Sequence, residues 1–324
     1  MRFALSAVAE ERGEPSNKLR KHQSLVLFLR DAAVAVVFVA LVLIAMFAYT
    51  GLWPPMVVVE SNSMMHGDEN LSHIGTIDTG DLVLVKKVDS PSDVTTYMDG
   101  LVSGHKTYGD YGDVVIYKRA GSDIGTPIIH RALIYLEINS DGKSYRAESL
   151  RQAPADKWSV SDPGDTWDRL ASTLTIEHVG YDDLTVTIDT GGLLTSQRSG
   201  FITKGDHNFG IDQMPGSSGP VDISWVVGKA RGEIPWFGLL KLWSTGTLGS
   251  PAPDNSVRDL WISLAIIVMA PIIIDVILTF KEKHGISKRK AKTRAEGGAP
   301  ILDEEKKAEA ENPETPSGQP PGQL

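Results

Sequence analysis

Cysteine does not occur among the 324 residues, which excludes a thiol nucleophile, disulfide staples and any cysteine-ligated metal. The eight histidines do not supply a metal site in its place. His66, His73, His105 and His207 fall in loop-like contexts without ligand spacing, so neither a metal nor an organic cofactor is expected. An excess of basic residues is missing too. Lys and Arg number 32 against 41 Asp and Glu, a formal charge of -9 that argues for solubility and against a nucleic-acid partner. Between residues 54 and 243 no stretch has the period of a convincing amphipathic helix, and no internal repeat is found.

What the chain does have is two long apolar runs. Residues 32–53 carry no charge, and at about 1.5 Å per helical residue they reach across a hydrocarbon core of roughly 30 Å. The run is too long for the core of a cleavable leader, and no small-residue cleavage site follows it. It therefore reads as a retained transmembrane helix over 31–53, stopped by Pro54-Pro55, with Trp53 at the interface. The second span, 259–280, is apolar from Leu260 to Phe280 except for Asp275. That residue is expected near the cytoplasmic boundary or, alternatively, against another membrane subunit.

Cations flank the outer ends of both runs: Lys18, Arg20, Lys21 and Arg30 before the first, Lys281, Lys283, Lys288, Arg289, Lys290, Lys292 and Arg294 after the second. The positive-inside rule then predicts a cell-membrane protein with both termini cytoplasmic and the middle outside. That middle holds much of the acidic excess, including Asp78, Asp81, Asp110, Asp113, Asp162 and Asp165. The organisation that follows is a polar cytoplasmic lead (1–30), an extracytoplasmic domain (54–243), a Gly-, Ser- and Pro-rich linker (244–258) and a tail (281–324) that is basic and then disordered.

Within the middle, short β-branched runs follow Gly and Asp turn signals. Strands are expected at 81–85, 113–117, 127–135, 201–203 and 221–227, with a hairpin of 174–178 and 184–189 around Gly180-Tyr181-Asp182-Asp183. The expected fold is mainly β, a partly open barrel or sandwich. The aromatic run 234–243 reads equally as core or as a patch dipping into lipid headgroups.

Three segments carry chemistry: Ser61-Asn62-Ser63-Met64, Ile128-Ile129-His130-Arg131, and Lys204-Gly205-Asp206-His207-Asn208 with Asp212 beyond. A serine hydroxyl needs a base to become a nucleophile, and a neutral imidazole is the commonest one. Strand alternation puts His130 and Arg131 on opposite faces. Asp206 or Asp212 would accept the Nδ1–H of His130 and fix its tautomer, while Ser61 and a backbone N–H near Ser63 would face an oxyanion.

In order and content these segments resemble type I signal peptidases of the archaeal and endoplasmic-reticulum kind. The Gly80-Asp81-Leu-Val-Leu-Val strand and Val226-Val227-Gly228-Lys229 with Ile234-Pro235 also fit that pattern, in islands between residues 56 and 242. The resemblance implies a membrane-bound serine endopeptidase that removes signal peptides from exported pre-proteins. It implies Ser63 as nucleophile, His130 as base, Asp212 as the likelier orienter with Asp206 also important, and Ser61, Ser63 and Met64 around the oxyanion and substrate. The implied partners are pre-protein signal peptides and the bilayer beside the protein-export channel. Met65-His66-Gly67 departs from the pattern, which has a proline one residue after Ser-Met, and 137–200 is a longer insertion than the family carries. Two other readings remain: a catalytically silent membrane-tethered β-domain, and a pilin- or sortase-associated processing factor.

Overall fold

The computed structural model describes residues 17–214 and 217–296. In chain order these form helix α1 (Asn17–Thr50), strands β1 (Met56–Val58) and β2 (Leu82–Lys86), helix α2 (Tyr97–Ser103), and strands β3 (Lys106–Thr107), β4 (Asp110–Tyr111), β5 (Val114–Tyr117) and β6 (Ile128–Ile138). There follow β7 (Tyr145–Arg146), β8 (Trp158–Val160), β9 (Thr173–Val179), β10 (Leu184–Asp189), a short helix α3 (Thr190–Leu193), β11 (Gly200–Lys204), β12 (Val226–Ile234), α4 (Leu239–Thr245) and α5 (Asp254–Glu296). The protein is mainly β, with a long apolar helix towards each end of the described chain. Two compact units divide between Leu260 and Trp261.

Residues 25–50 of α1 and 254–281 of α5 are each long and apolar enough to cross a membrane. The first helix is longer and ends sooner than the apolar run suggests. No Pro or Gly interrupts residues 17–50, so helix continues upstream of the run into the expected lead. It stops at Gly51, whose φ of +70° is left-handed and whose N–H bonds the Phe47 carbonyl, rather than at Pro54-Pro55. The expected linker is shorter as well, because α4 runs to Thr245 and α5 starts at Asp254. α5 also carries helix into the expected basic tail, as far as Glu296. The disorder expected beyond it lies outside the described residues.

The main sheet runs β1-β2-β12-β5-β6-β11, with β7 paired to the end of β6, and all its pairings are antiparallel. Its two faces bury separate clusters. Val59, Met64, Ile77, Val83 and Val114 pack on one, and Val115, Tyr117, Ala132, Phe201 and Val221 on the other. Six of the seven expected strands appear close to where the turn signals put them. The seventh, at 221–227, does not: Asp222 accepts from the Ser224 N–H and opens a tight turn, so Val221 makes only a single bridge to Phe201. The strand begins at Val226 and continues to Ile234.

Residues 137–200 build a second sheet, β10-β9-β8, through the expected hairpin. Along β9 and β10 the side chains of Leu174, Ile176, Val179, Val186 and Ile188 turn inward and share a core with Leu133, Ile134 and Leu136 of β6 and with Tyr97 and Met98 of α2. Each such burial contributes about 1.5–3 kcal/mol, so the insertion is packed onto the long strand that carries His130.

The aromatic run 234–243 is part core and part exposed. Leu239 and Leu242 are fully buried, while Leu240 and Trp243 are exposed. The Trp236 N–H donates to Asp81 at 2.9 Å and its indole to Ser72 Oγ at 3.1 Å. Ser72 in turn exchanges two hydrogen bonds of 2.8 Å with Asn255, at the start of α5.

Candidate active site

Ser63 sits in the turn that leaves β1. The turn is held from below by Met64 and Met65, both essentially without exposure, and by a Met65 N–H to Asn62 carbonyl bond of 3.0 Å. With the methionines pointing into the core, the half-buried Ser61 and Ser63 face a cavity of about 670 Å³. Met64 thus contributes to the cavity from its buried side. Ser61 Oγ lies 3.3 Å from Ser63 Oγ.

His130 reaches the same cavity from β6, opposite Val115 of β5. Its Nε2 is 3.0 Å from Ser63 Oγ and its Nδ1 is 2.6 Å from Asp212 Oδ2. If Nδ1 carries the proton towards the carboxylate, Nε2 is left as an acceptor for the serine hydroxyl. The same Asp212 oxygen also accepts from the Tyr117 hydroxyl at 2.9 Å and the Thr203 hydroxyl at 2.7 Å. Burial alone would raise the Asp212 carboxyl. The hydrogen bond and charge of His130, joined by the Thr203 and Tyr117 hydroxyls, outweigh it and hold the group below the ordinary carboxylate range. Burial also drives the Tyr117 phenol well above its usual value, so at neutral pH it is a donor to Asp212 and not a competing anion.

Asp206 serves a different partner. Arg131, next to His130, points to the opposite face of β6 and is almost fully buried. Its guanidinium grips Asp206 with two bonds, Nε to Oδ1 at 2.8 Å and Nη2 to Oδ2 at 2.5 Å, and its Nη1 donates to the carbonyls of Thr107 and Tyr111 at 3.0 Å each. His66 Nε2 is 2.9 Å from Asp206 Oδ2. Burial opposes ionisation of Asp206, but the Arg131 charge and the His66 bond win and hold it far below the usual range. The two aspartates left open by spacing are therefore separated: Asp212 orients His130, and Asp206 anchors the loop through Arg131.

Two lysines could compete for the role of base, and neither is placed for it. Lys118 ion-pairs with Asp123 at 2.5 Å. Lys204 is buried, which lowers its pKa, yet its ammonium donates to the Gly205 and Asp206 carbonyls at 3.0 and 3.1 Å. Among the described residues no cluster of three or more His, Asp or Glu side chains could hold a metal ion.

Several contributors were not singled out by sequence reasoning. Tyr117 and Thr203 carry no signal, being ordinary strand residues whose hydroxyls meet Asp212 only after the sheet is assembled. Gly205 had one: it stands inside the quoted loop, and any β-carbon there would meet the Ser63 carbonyl at 2.6 Å. No protein-family model and no curated protein matches the chain.

Proposed function

We propose that the chain is a membrane-anchored serine endopeptidase that removes signal peptides from pre-proteins, through an acyl-enzyme, at a β-rich ectodomain of open-barrel or sandwich type. The observation that carries this reading is the continuous line Ser63 Oγ–His130–Asp212, at 3.0 and 2.6 Å, opening onto a cavity in a chain with two apolar helices. In the proposed reaction Ser63 Oγ attacks the scissile carbonyl as His130 Nε2 takes its proton. Asp212 stabilises the imidazolium, and His130 then protonates the leaving amine. The Ser63 N–H and Ser61 hydroxyl would hold the oxyanion. Water, deprotonated by the same imidazole, releases the acyl group and restores Ser63.

The substrate would lie extended in the cavity, with small side chains before the cut seated against Ile128 and Ile129, which line it. Anchoring enzyme and substrate in one bilayer raises their effective concentration. The topology proposed with this reading has both termini cytoplasmic and the ectodomain outside, beside the export channel.

The direct test is to incubate the detergent-solubilised chain with a pre-protein and sequence the new N-terminus, with a serine-reactive acyl probe in parallel. Cleavage after a small residue and labelling at Ser63, both lost in Ser63→Ala, are expected. An intact pre-protein and an unlabelled Ser63 would refute the reading.

A further inference from the structure

The hairpin of the 137–200 insertion ends within reach of the proposed catalytic loops. Its tip is itself fixed: the Tyr97 hydroxyl of α2 donates to the His178 carbonyl at 3.0 Å and accepts from the Gly180 N–H at 3.3 Å. Gly180, at φ +79°, makes the turn that carries Tyr181 outward. The Tyr181 ring stacks on His66, with centroids 4.4 Å apart and planes at 26°. Its hydroxyl lies 2.9 Å from His207 Nδ1, and His207 Nε2 lies 2.8 Å from Glu69 Oε1.

Those two histidines belong to the two loops that must stay in register. His66 follows the Ser63 turn and is bonded to Asp206 of the other loop. His207 belongs to the Asp206 loop, and its N–H donates to the Ser63 carbonyl at 2.9 Å. One aromatic side chain from a distant insertion therefore touches both crossing points. Tyr181 does not line the cavity that holds Ser63 and His130, so it has no contact with a substrate there.

We propose that Tyr181 is a positioning residue: it pins the Ser63 turn against the Asp206 loop, and this contact makes the insertion part of the working site. The inference extends the peptidase reading, and it has an arm that stands without it. A displacement of about 1 Å at reacting atoms costs roughly a hundredfold in rate, and the pin reaches the Ser63 carbonyl through the backbone N–H of His207. The ring and the hydroxyl do separable work, one on His66 and one on His207.

The test compares the full-length chain in detergent with Tyr181→Phe, which keeps the ring and removes the hydroxyl, and Tyr181→Ala, which removes both. In Tyr181→Ala, kcat for pre-protein cleavage and the rate of acyl-probe labelling at Ser63 should fall about a hundredfold with KM unchanged. Tyr181→Phe should recover roughly tenfold of that loss. Amide hydrogen exchange in 63–67 and 205–208 should quicken in the same order. Wild-type rates and wild-type exchange in both variants overturn the proposal, as does a change in KM alone. If Tyr181→Ala does not fold, Tyr181→Phe decides by the same measurements. If the wild-type chain neither cleaves nor labels, the peptidase reading fails, and the exchange comparison alone decides whether Tyr181 pins the loops.

Discussion

Gly205 packs against His130 so closely that a β-carbon at position 205 would stand 2.8 Å from the imidazole Nε2. The same atom would meet the Ser63 carbonyl and the Asn208 amide at 2.6 and 2.7 Å, so the first side-chain atom available to any other residue lands on the Ser63–His130 pair. Gly205→Ala should cut kcat by about a hundredfold or more while leaving every chemical group in place. Pre-protein cleavage, with a thermal melt to show the fold retained, checks this; cleavage at the wild-type rate would mean that the two loops yield freely.

The two aspartates should separate by the kind of damage each substitution does. Asp212→Asn removes the charge beside His130 and presents an amide donor where the imidazole needs an acceptor. Activity should fall by about 10³–10⁴, with a smaller loss of stability than Asp206→Ala brings. Asp206→Ala strands the buried Arg131, and removing one partner of such a pair costs about 3–5 kcal/mol. Chemical denaturation should therefore register Asp206→Ala far more strongly than Asp212→Asn, and the reverse order would exchange their roles.

That separation also marks how far the site was legible in the chain. The serine, histidine and aspartate segments stood out because each is a short local pattern, and alternation along β6 correctly sent His130 and Arg131 to opposite faces. The choice between Asp206 and Asp212 depends on which face of β6 each loop residue meets, and that is settled by the pairing of β11 with β6 and not by spacing. Tyr117 and Thr203 were unreadable for the same reason: residues 86 positions apart share one carboxylate only in the assembled sheet. Strand expectations failed where a polar side chain overrode an apolar pattern, as Asp222 does at the start of 221–227.

Ser61 has a narrower expected effect. Its hydroxyl lies 3.3 Å from Ser63 Oγ and shares the cavity, a position from which it would donate to an oxyanion. Ser61→Ala should lower kcat by roughly 10²–10³ with KM little altered, because the bond would strengthen only in the transition state. Steady-state kinetics on one pre-protein decide it. A rise in KM at constant kcat would make Ser61 a substrate-binding group instead.

Stability should depend on pH through buried acids, one of them set apart from Ser63 and His130. Burial pushes the Asp81 carboxyl from 3.8 up to about 7, and neighbouring Asp78 and Glu233 add to the rise while the Trp236 and Asp78 N–H groups oppose it. Between about pH 4 and pH 7 the folded chain therefore binds a proton at Asp81 that the unfolded chain has released, so stability falls as pH rises through that window. Asp206, Asp212 and Asp113 work in the other direction. Their folded values are depressed, so their contribution is complete above about pH 4 and is lost as the pH falls below it. The melting temperature is accordingly expected to peak near pH 4–5 and to decline towards pH 8. Asp81→Asn keeps one of the two acceptors, to Trp236 or to Asp78, and should cost about 1 kcal/mol near pH 5, where Asp81 holds its proton. It should nevertheless flatten the decline between pH 5 and pH 8, because an amide has no proton to lose. Melts of the two proteins at both pH values measure this directly, and an equally steep decline in Asp81→Asn would assign it to other groups.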